Sequence, residues 1–163
     1  MKKILLTAVN AKYIHSNLAV YSLRAYAGTL KENIELAEYT INNRTEYILR
    51  EIYLKKPDVI CFSCYIWNIS IILEVAEEFH KLCPKVPIWV GGPEVSYEVE
   101  AFLKEHPFIT GVIIGEGEKT FSELCRYYVK GESSLEEMNG IALLDGAGNV
   151  QIHEPQEILD MNT

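Results

Sequence analysis

The chain has 163 residues, 48% of them hydrophobic and 23% charged, with 15 Lys and Arg against 23 Asp and Glu and a formal net charge of −8. That length suits one domain with a sizeable buried core, and the acidic balance argues against a phosphate-neutralising surface, so no nucleic-acid partner is expected. Gly (10) and Pro (6) are at ordinary usage, which removes collagen-like and low-complexity readings.

Residues 3–9 are a continuous apolar run, as a strand covered on both faces should be. The run imitates a signal peptide only briefly, because Asn10-Ala11-Lys12-Tyr13 follows. No apolar stretch reaches the ~18 residues of a membrane span. Ser16 or Asn17 can cap a helix running to about residue 30, and 35–41 reads as a weaker strand. Asn42 or Asn43 can cap a second helix striped by Ile48, Leu49, Ile52 and Tyr53, with Pro57 after it and an apolar strand at 58–63. Asn68 can cap a third helix carrying Ile69, Ile72, Leu73, Ala76, Phe79 and Cys83 at helical spacing.

Strand four, 88–90, ends at Gly91-Gly92-Pro93, and Val95, Val99, Phe102 and Leu103 line a fourth helix. Strand five covers 111–114, and Gly115-Glu116-Gly117-Glu118 opens a fifth helix with Phe121, Leu124, Cys125, Tyr128 and Val129 on one side. This alternation predicts an α/β fold with a parallel sheet and helices on both faces. Residues 141–144 and 150–153 flank Asp145-Gly146-Ala147-Gly148-Asn149, a hairpin signature. Residues 154–163 read as the start of a linker.

In such a sheet, ligands bind beyond the carboxyl ends of the strands. Paired glycines at two of those ends signal either tight turns or a ligand passing close to the backbone. No glycine lies between residues 7 and 16, so neither a dinucleotide fingerprint nor a P-loop is present. A receiver domain's acidic pair and a flavodoxin's hydroxyl-rich loop are missing as well. Glu116 and Glu118 read either as carboxylates complementing a helix dipole or as acceptors for a ligand's amides.

Cys61-x-x-Cys64 lacks the second pair a zinc site needs, and Cys61 falls within a strand rather than at a helix start, where a redox dithiol sits. Both read as small buried apolar residues, with Cys83 and Cys125 isolated. Reduced thiols and no secretion signal make the cytoplasm the expected compartment. His15 reads as a loop histidine with a local hydrogen bond. No histidine is placed by sequence to activate Ser63, so no catalytic residue and no protein metal ligand are assigned.

Asn10-Ala11-Lys12-Tyr13-Ile14-His15-Ser16-Asn17-Leu18, Ser63-Cys64-Tyr65-Ile66-Trp67-Asn68, Gly91-Gly92-Pro93-Glu94 and Gly115-Glu116-Gly117-Glu118-x-x-Phe121 occur in this order. Together they resemble the N-terminal cobalamin (vitamin B12)-binding domain of cobalamin-dependent radical S-adenosylmethionine proteins. That group includes methyltransferases and the anaerobic magnesium-protoporphyrin ester cyclase. The resemblance implies a flavodoxin-like (Rossmann-like) five-stranded parallel sheet of order 2-1-3-4-5, with the C-terminal β-hairpin added. It implies cobalamin as the cofactor, held by residues of the quoted loops: Asn10, Lys12, Tyr13, Ser16, Asn17, Ser63, Cys64, Tyr65, Trp67, Gly91, Gly92, Pro93, Glu94, Gly115, Glu116, Gly117, Glu118 and Phe121. Ser63 would hydrogen-bond the nucleotide tail, and Gly91 and Gly92 would let it approach the backbone. Tyr65 and Trp67 would cover the corrin face, while Glu116 and Glu118 would accept from corrin amides.

Two departures qualify the resemblance. Where histidine-ligated cobalamin domains carry D-x-H-x-x-G, this chain has Asn10, Lys12 and His15. A protonated lysine cannot coordinate a metal, so the cofactor is expected base-off without a histidine ligand. The C-x-x-x-C-x-x-C motif of the radical enzymes is absent. The chain alone is therefore expected not to be catalytic. The iron-sulfur cluster and S-adenosylmethionine would belong to a radical S-adenosylmethionine domain of the same parent chain. The expected organisation is 1–138 for the cobalamin-binding-like unit, 139–153 for the hairpin and 154–163 for the linker. The alternatives are a small redox protein using Cys61 and Cys64, or an interaction domain of the same fold without a ligand.

Overall fold

A computed structural model describes residues 2–11, 18–115 and 117–156. The first apolar run forms β1 (Ile4–Asn10), buried along its whole length. Strand β2 (Ile34–Thr40) flanks it on one side and β3 (Val59–Ser63) on the other, both parallel. Strands β4 (Ile88–Gly91) and β5 (Gly111–Ile113) continue in parallel beyond β3. The hairpin strands β6 (Ile141–Leu144) and β7 (Val150–Ile152) extend the same sheet antiparallel, giving the order β2-β1-β3-β4-β5-β6-β7. The parallel part has the predicted order.

Alternation along β1 separates two cores. Ile4, Leu6 and Ala8 join Phe121, Leu124 and Cys125 under α1 (Leu18–Tyr26) and α5 (Glu118–Lys130). Leu5 and Val9 join Ile48, Ile72 and Leu103 under α2 (Thr45–Lys55), α3 (Ile69–Leu82) and α4 (Val99–Glu105). Right-handed crossovers require this division. The step from β1 to β2 runs one way and those from β2 through β5 run the other, so their helices fall on opposite faces. The order reverses between β1 and β3, and a crevice forms at the carboxyl end of such a point.

The boundaries depart from expectation where local chemistry intervenes. The first helix ends at Tyr26, and Gly28–Asn33 form a 3-10 segment opened by Gly28 at φ 64°, a conformation glycine adopts without steric cost. Helix α2 follows Arg44 rather than an asparagine cap, because Asn43 Oδ1 accepts the Thr40 N–H at 2.8 Å instead. Val95 ends a 3-10 turn, Pro93–Val95, and α4 starts only at Val99. Asn68 precedes α3 without capping it through its side chain. Ser16 and Asn17 as caps lie outside the described residues. No described helix is long and apolar enough to cross a membrane.

Candidate functional site

The carboxyl ends of the strands make a rim in register: Ala8 beside Ser63, Ser63 beside Gly91, Gly91 beside Ile113. Three of these four residues are small, so the face under α1 and α5 loses wall there. One alternation deeper, about 7 Å down the strands, lie Leu6, Cys61 and Trp89. A cavity of about 450 Å³ occupies this space, bounded by Leu6, Cys61, Ser63, Gly91 and Ile113 from the sheet and by Leu23, Gly117 and Phe121 from the helix side. Its volume lies within the range of small-molecule sites. Its inner end is apolar, while Tyr65, Ser96, Tyr97 and Glu118 border it from the loops and the first turn of α5.

Backbone contacts hold the mouth in shape. Gly92 takes φ 107°, and a Cβ there would stand 2.3 Å from the Cys64 carbonyl oxygen. Cys64 N–H also donates to the Gly91 carbonyl at 2.7 Å. The space where a Gly92 Cβ would lie is thus filled by the neighbouring loop of this chain, while the residue itself still borders the cavity. Gly115 is needed for its left-handed φ of 73°, with open space where a Cβ would lie. Ser96 links the two glycine loops, donating from Oγ to the Gly92 carbonyl at 2.9 Å and accepting from Gly115 N–H at 3.4 Å.

Asn68 ties the first and third strand ends together. Fully buried, it donates from Nδ2 to the carbonyls of Val9 at 2.9 Å and Ser63 at 3.2 Å, and accepts from Tyr65 N–H at 2.8 Å. The turn it sets presents Tyr65 and Trp67 stacked on each other, ring centroids 4.6 Å apart and planes within 4°. With Ile66 77% exposed and Tyr97 78% exposed, the mouth is edged by aromatic and apolar surface.

The structure brings Ser63, Tyr65, Gly91, Gly92, Pro93, Gly115, Gly117, Glu118 and Phe121 together around the cavity. Asn10 is instead turned toward β2, donating from Nδ2 to Glu38 Oε1 at 3.3 Å; Tyr21 donates to the other oxygen of that carboxylate at 2.9 Å. That hydrogen bond, and then the Glu38 charge, raise the Tyr21 phenol above its ordinary pKa. Cys64, Trp67 and Glu94 do not line the cavity. Lys12, Tyr13, His15, Ser16, Asn17 and Glu116 lie outside the described residues. Sequence reasoning missed Leu6, Leu23, Cys61, Ser96 and Ile113 as wall residues. Strand alternation could have found Leu6 and Cys61, which share a face with Ser63; nothing local marked Ser96.

Cys61 and Cys64 belong to opposite cores, as an i, i+3 pair on an extended strand must. Burial pushes both thiols up, Cys61 further raised by nearby Cys125 and Cys64 by the Glu94 charge. Protonated thiols on opposite faces do not make a redox dithiol. Among the described residues no group of His, Cys, Asp or Glu could hold a metal ion.

The family model described as "B12 binding domain" matches residues 4–125. The cobalamin-dependent radical SAM methyltransferase TokK of Streptomyces tokunonensis is 31% identical over 91 residues, 56% of this chain and 13% of that protein. Hopanoid C-3 methylase of Methylococcus capsulatus is 26% identical over 118 residues, 71% of this chain and 22% of that protein. The structure of the cobalamin-dependent S-adenosylmethionine radical enzyme OxsB with aqua-cobalamin and S-adenosylmethionine bound superposes with a TM-score of 0.76 at 21% identity, covering 97% of this chain and 23% of that one. At that identity the superposition speaks for the fold alone. The chain spans less than a quarter of the length of each of these proteins.

Proposed function

Because the chain belongs to the B12-binding domain family, we propose that it is a cobalamin-binding module, with the nucleotide tail in the cavity and the corrin ring across the carboxyl edge of the sheet. The single observation that carries this is the slot between the Ser63-Gly91-Ile113 rim and the Leu23-Gly117-Phe121 side. The residues present fit the group: an apolar inner end suits a heteroaromatic base, and Ser63 at the rim suits the sugar or phosphate. Tyr65, Tyr97 and Glu118 at the mouth can meet the amide-bearing edge of the ring.

Of the sequence-derived positions, Ser63, Gly91, Gly92, Pro93, Gly115, Gly117 and Phe121 would shape the tail site. Tyr65 and Trp67, as one stacked plate, would cover the corrin, with Cys64 and Glu94 supporting the same loops. Asn10, Lys12, Tyr13, Ser16, Asn17 and Glu116 complete the proposed set. With Lys12 where other cobalamin domains carry the ligating histidine, the cofactor would be held base-off without a histidine ligand. Cobalamin supplies a cobalt centre able to carry a methyl group; this chain's residues bind and orient it and shield one side from water.

The proposed partner is a radical S-adenosylmethionine domain of the same parent chain. That domain would hold the iron-sulfur cluster and S-adenosylmethionine and perform methyl transfer or cyclase-type chemistry. The names of TokK and the hopanoid methylase and the small share of their length that this chain covers support it. We take 1–138 as the binding unit and 139–153 as its hairpin.

Titration of the purified chain with hydroxocobalamin, followed by visible absorption and tryptophan quenching, tests the proposal. Saturable binding with a base-off spectrum and a Kd below about 100 μM, worth at least ~5 kcal/mol, is expected. Absence of binding at that concentration would overturn it for the chain as it stands.

A further inference from the structure

Resting on the cobalamin reading, we propose that the slot selects among cobamides by their lower base, admitting an apolar aromatic base such as dimethylbenzimidazole or p-cresol and rejecting adenine. The selection follows from where polar atoms stand along the slot. Ser63 sits in the rim row, and the row beneath it on the same face is Leu6 and Cys61. Leu23, Ile113 and Phe121 close the slot around them. Backbone N–H and C=O groups of β3 and β4 are engaged in the parallel ladder, and Ser96 Oγ is spent on Gly92 and Gly115. Among the described residues, the remaining polar side chains of the lining, Tyr65, Tyr97 and Glu118, belong to segments that begin beyond the strand ends. They can meet sugar, phosphate or corrin amides but not a base seated at the inner end.

Adenine carries an amino group and ring nitrogens that would each lose water there. The thiol of Cys61 is a weak donor and a weak acceptor, so those groups would stay unpaired, and sites lacking partners for a ligand's polar groups discriminate strongly. Dimethylbenzimidazole and p-cresol present methyl groups and ring carbons to Leu6, Cys61 and Phe121. Their affinity would then come from apolar surface removed from water.

Equilibrium binding of four corrinoids to the 163-residue chain tests this: cobalamin, p-cresolylcobamide, adeninylcobamide and cobinamide, which has no base. Adeninylcobamide and cobinamide are expected to bind at least tenfold more weakly than the first two. For cobalamin, opening the cobalt–base bond biases the comparison against the proposal, because benzimidazole is a stronger cobalt ligand than adenine; p-cresol forms no such bond, so the cobalamin–adeninylcobamide pair is the decisive one. An adeninylcobamide affinity within tenfold of both would overturn base selection while leaving corrinoid binding intact. Cobinamide binding as tightly as cobalamin would show that the tail does not use the slot. If no corrinoid binds, the cobalamin reading fails and this one with it. Cys61→Leu, which fills the inner end, should weaken cobalamin at least tenfold without changing the affinity for cobinamide. With an unchanged Tm, equal losses for both would overturn the placement of the base.

Discussion

Cys61, Cys64 and Cys125 sit in the interior with no cationic partner among the described residues, and burial raises all three above the usual 9.0, Cys125 to about 12. Only the unfolded chain can ionise these thiols between pH 9 and the raised folded values. Their contribution to stability is therefore complete below pH 9 and declines as the pH rises toward those values. Each thiol should cost about 1.4 kcal/mol of unfolding free energy between pH 8 and pH 10. Urea denaturation at the two pH values measures it, with Tyr39 and Tyr128, both raised above 10.0 by burial, each adding only about 0.4 kcal/mol by pH 10. An unfolding free energy equal at pH 8 and pH 10 would contradict the burial of these thiols. Asn68 shows the limit of reading single residues. Its place before a helix suggested a cap, but the Tyr65 N–H and the Ser63 and Val9 carbonyls claim its side chain, and no local pattern announces the last of these, which lies on the first strand.

At the scale of elements, β4 and β5 fit because one gives up a side chain to the other. Trp89 is fully buried and donates from Nε1 to the Tyr128 hydroxyl at 2.9 Å. A Cβ at Gly111, its neighbour in register, would come within 2.5 Å of the indole ring and 2.7 Å of the Ala142 carbonyl oxygen. Gly111→Ala should therefore lower stability by about 1–3 kcal/mol, the usual cost of overpacking. Gly146→Ala, in the hairpin turn with nothing within 4 Å, should leave the Tm unchanged. Equal effects of the two substitutions would refute the packing described. The periodicity that predicted the helices reports which face is apolar, and each predicted helix formed on that basis. Their ends were less legible. Gly28 ended the first helix early, and a 3-10 turn took Val95 from the fourth.

For the whole molecule, the hairpin closes what would otherwise be an open edge. Met138 and Ile141 are buried on the α5 side and Ala142 on the α4 side, along the β5 edge. Thr120 Oγ1 of α5 donates to the Asn139 carbonyl and accepts from Gln156 Nε2 at 3.2 Å. Deleting residues 138–156 would expose apolar surface and the unpaired β5 edge, a template for association. Such a truncated chain is expected to lose at least 10 °C in Tm or to precipitate. A thermal scan with light scattering checks this, and a soluble, equally stable product would show the hairpin to be dispensable.

Hydrophobic period and strand-to-helix alternation are properties of consecutive residues, and by themselves they determined the parallel α/β class, the strand ends on which a site must lie and the loops worth inspecting. Resemblance across those loops supplied the strand order and the cofactor class. What only the tertiary structure decided is which side chains share the slot. Leu6, Cys61, Ile113 and Leu23 come from distant elements, and register together with the packing of two helices brings them to one cavity. The same holds for the glycines: sequence marks Gly91 and Gly92 as special, but only the folded chain shows that the Gly92 space belongs to the Cys64 backbone. Contacts between residues far apart in the chain leave no periodic trace in it, because they follow from how whole elements stack and not from what stands next to what.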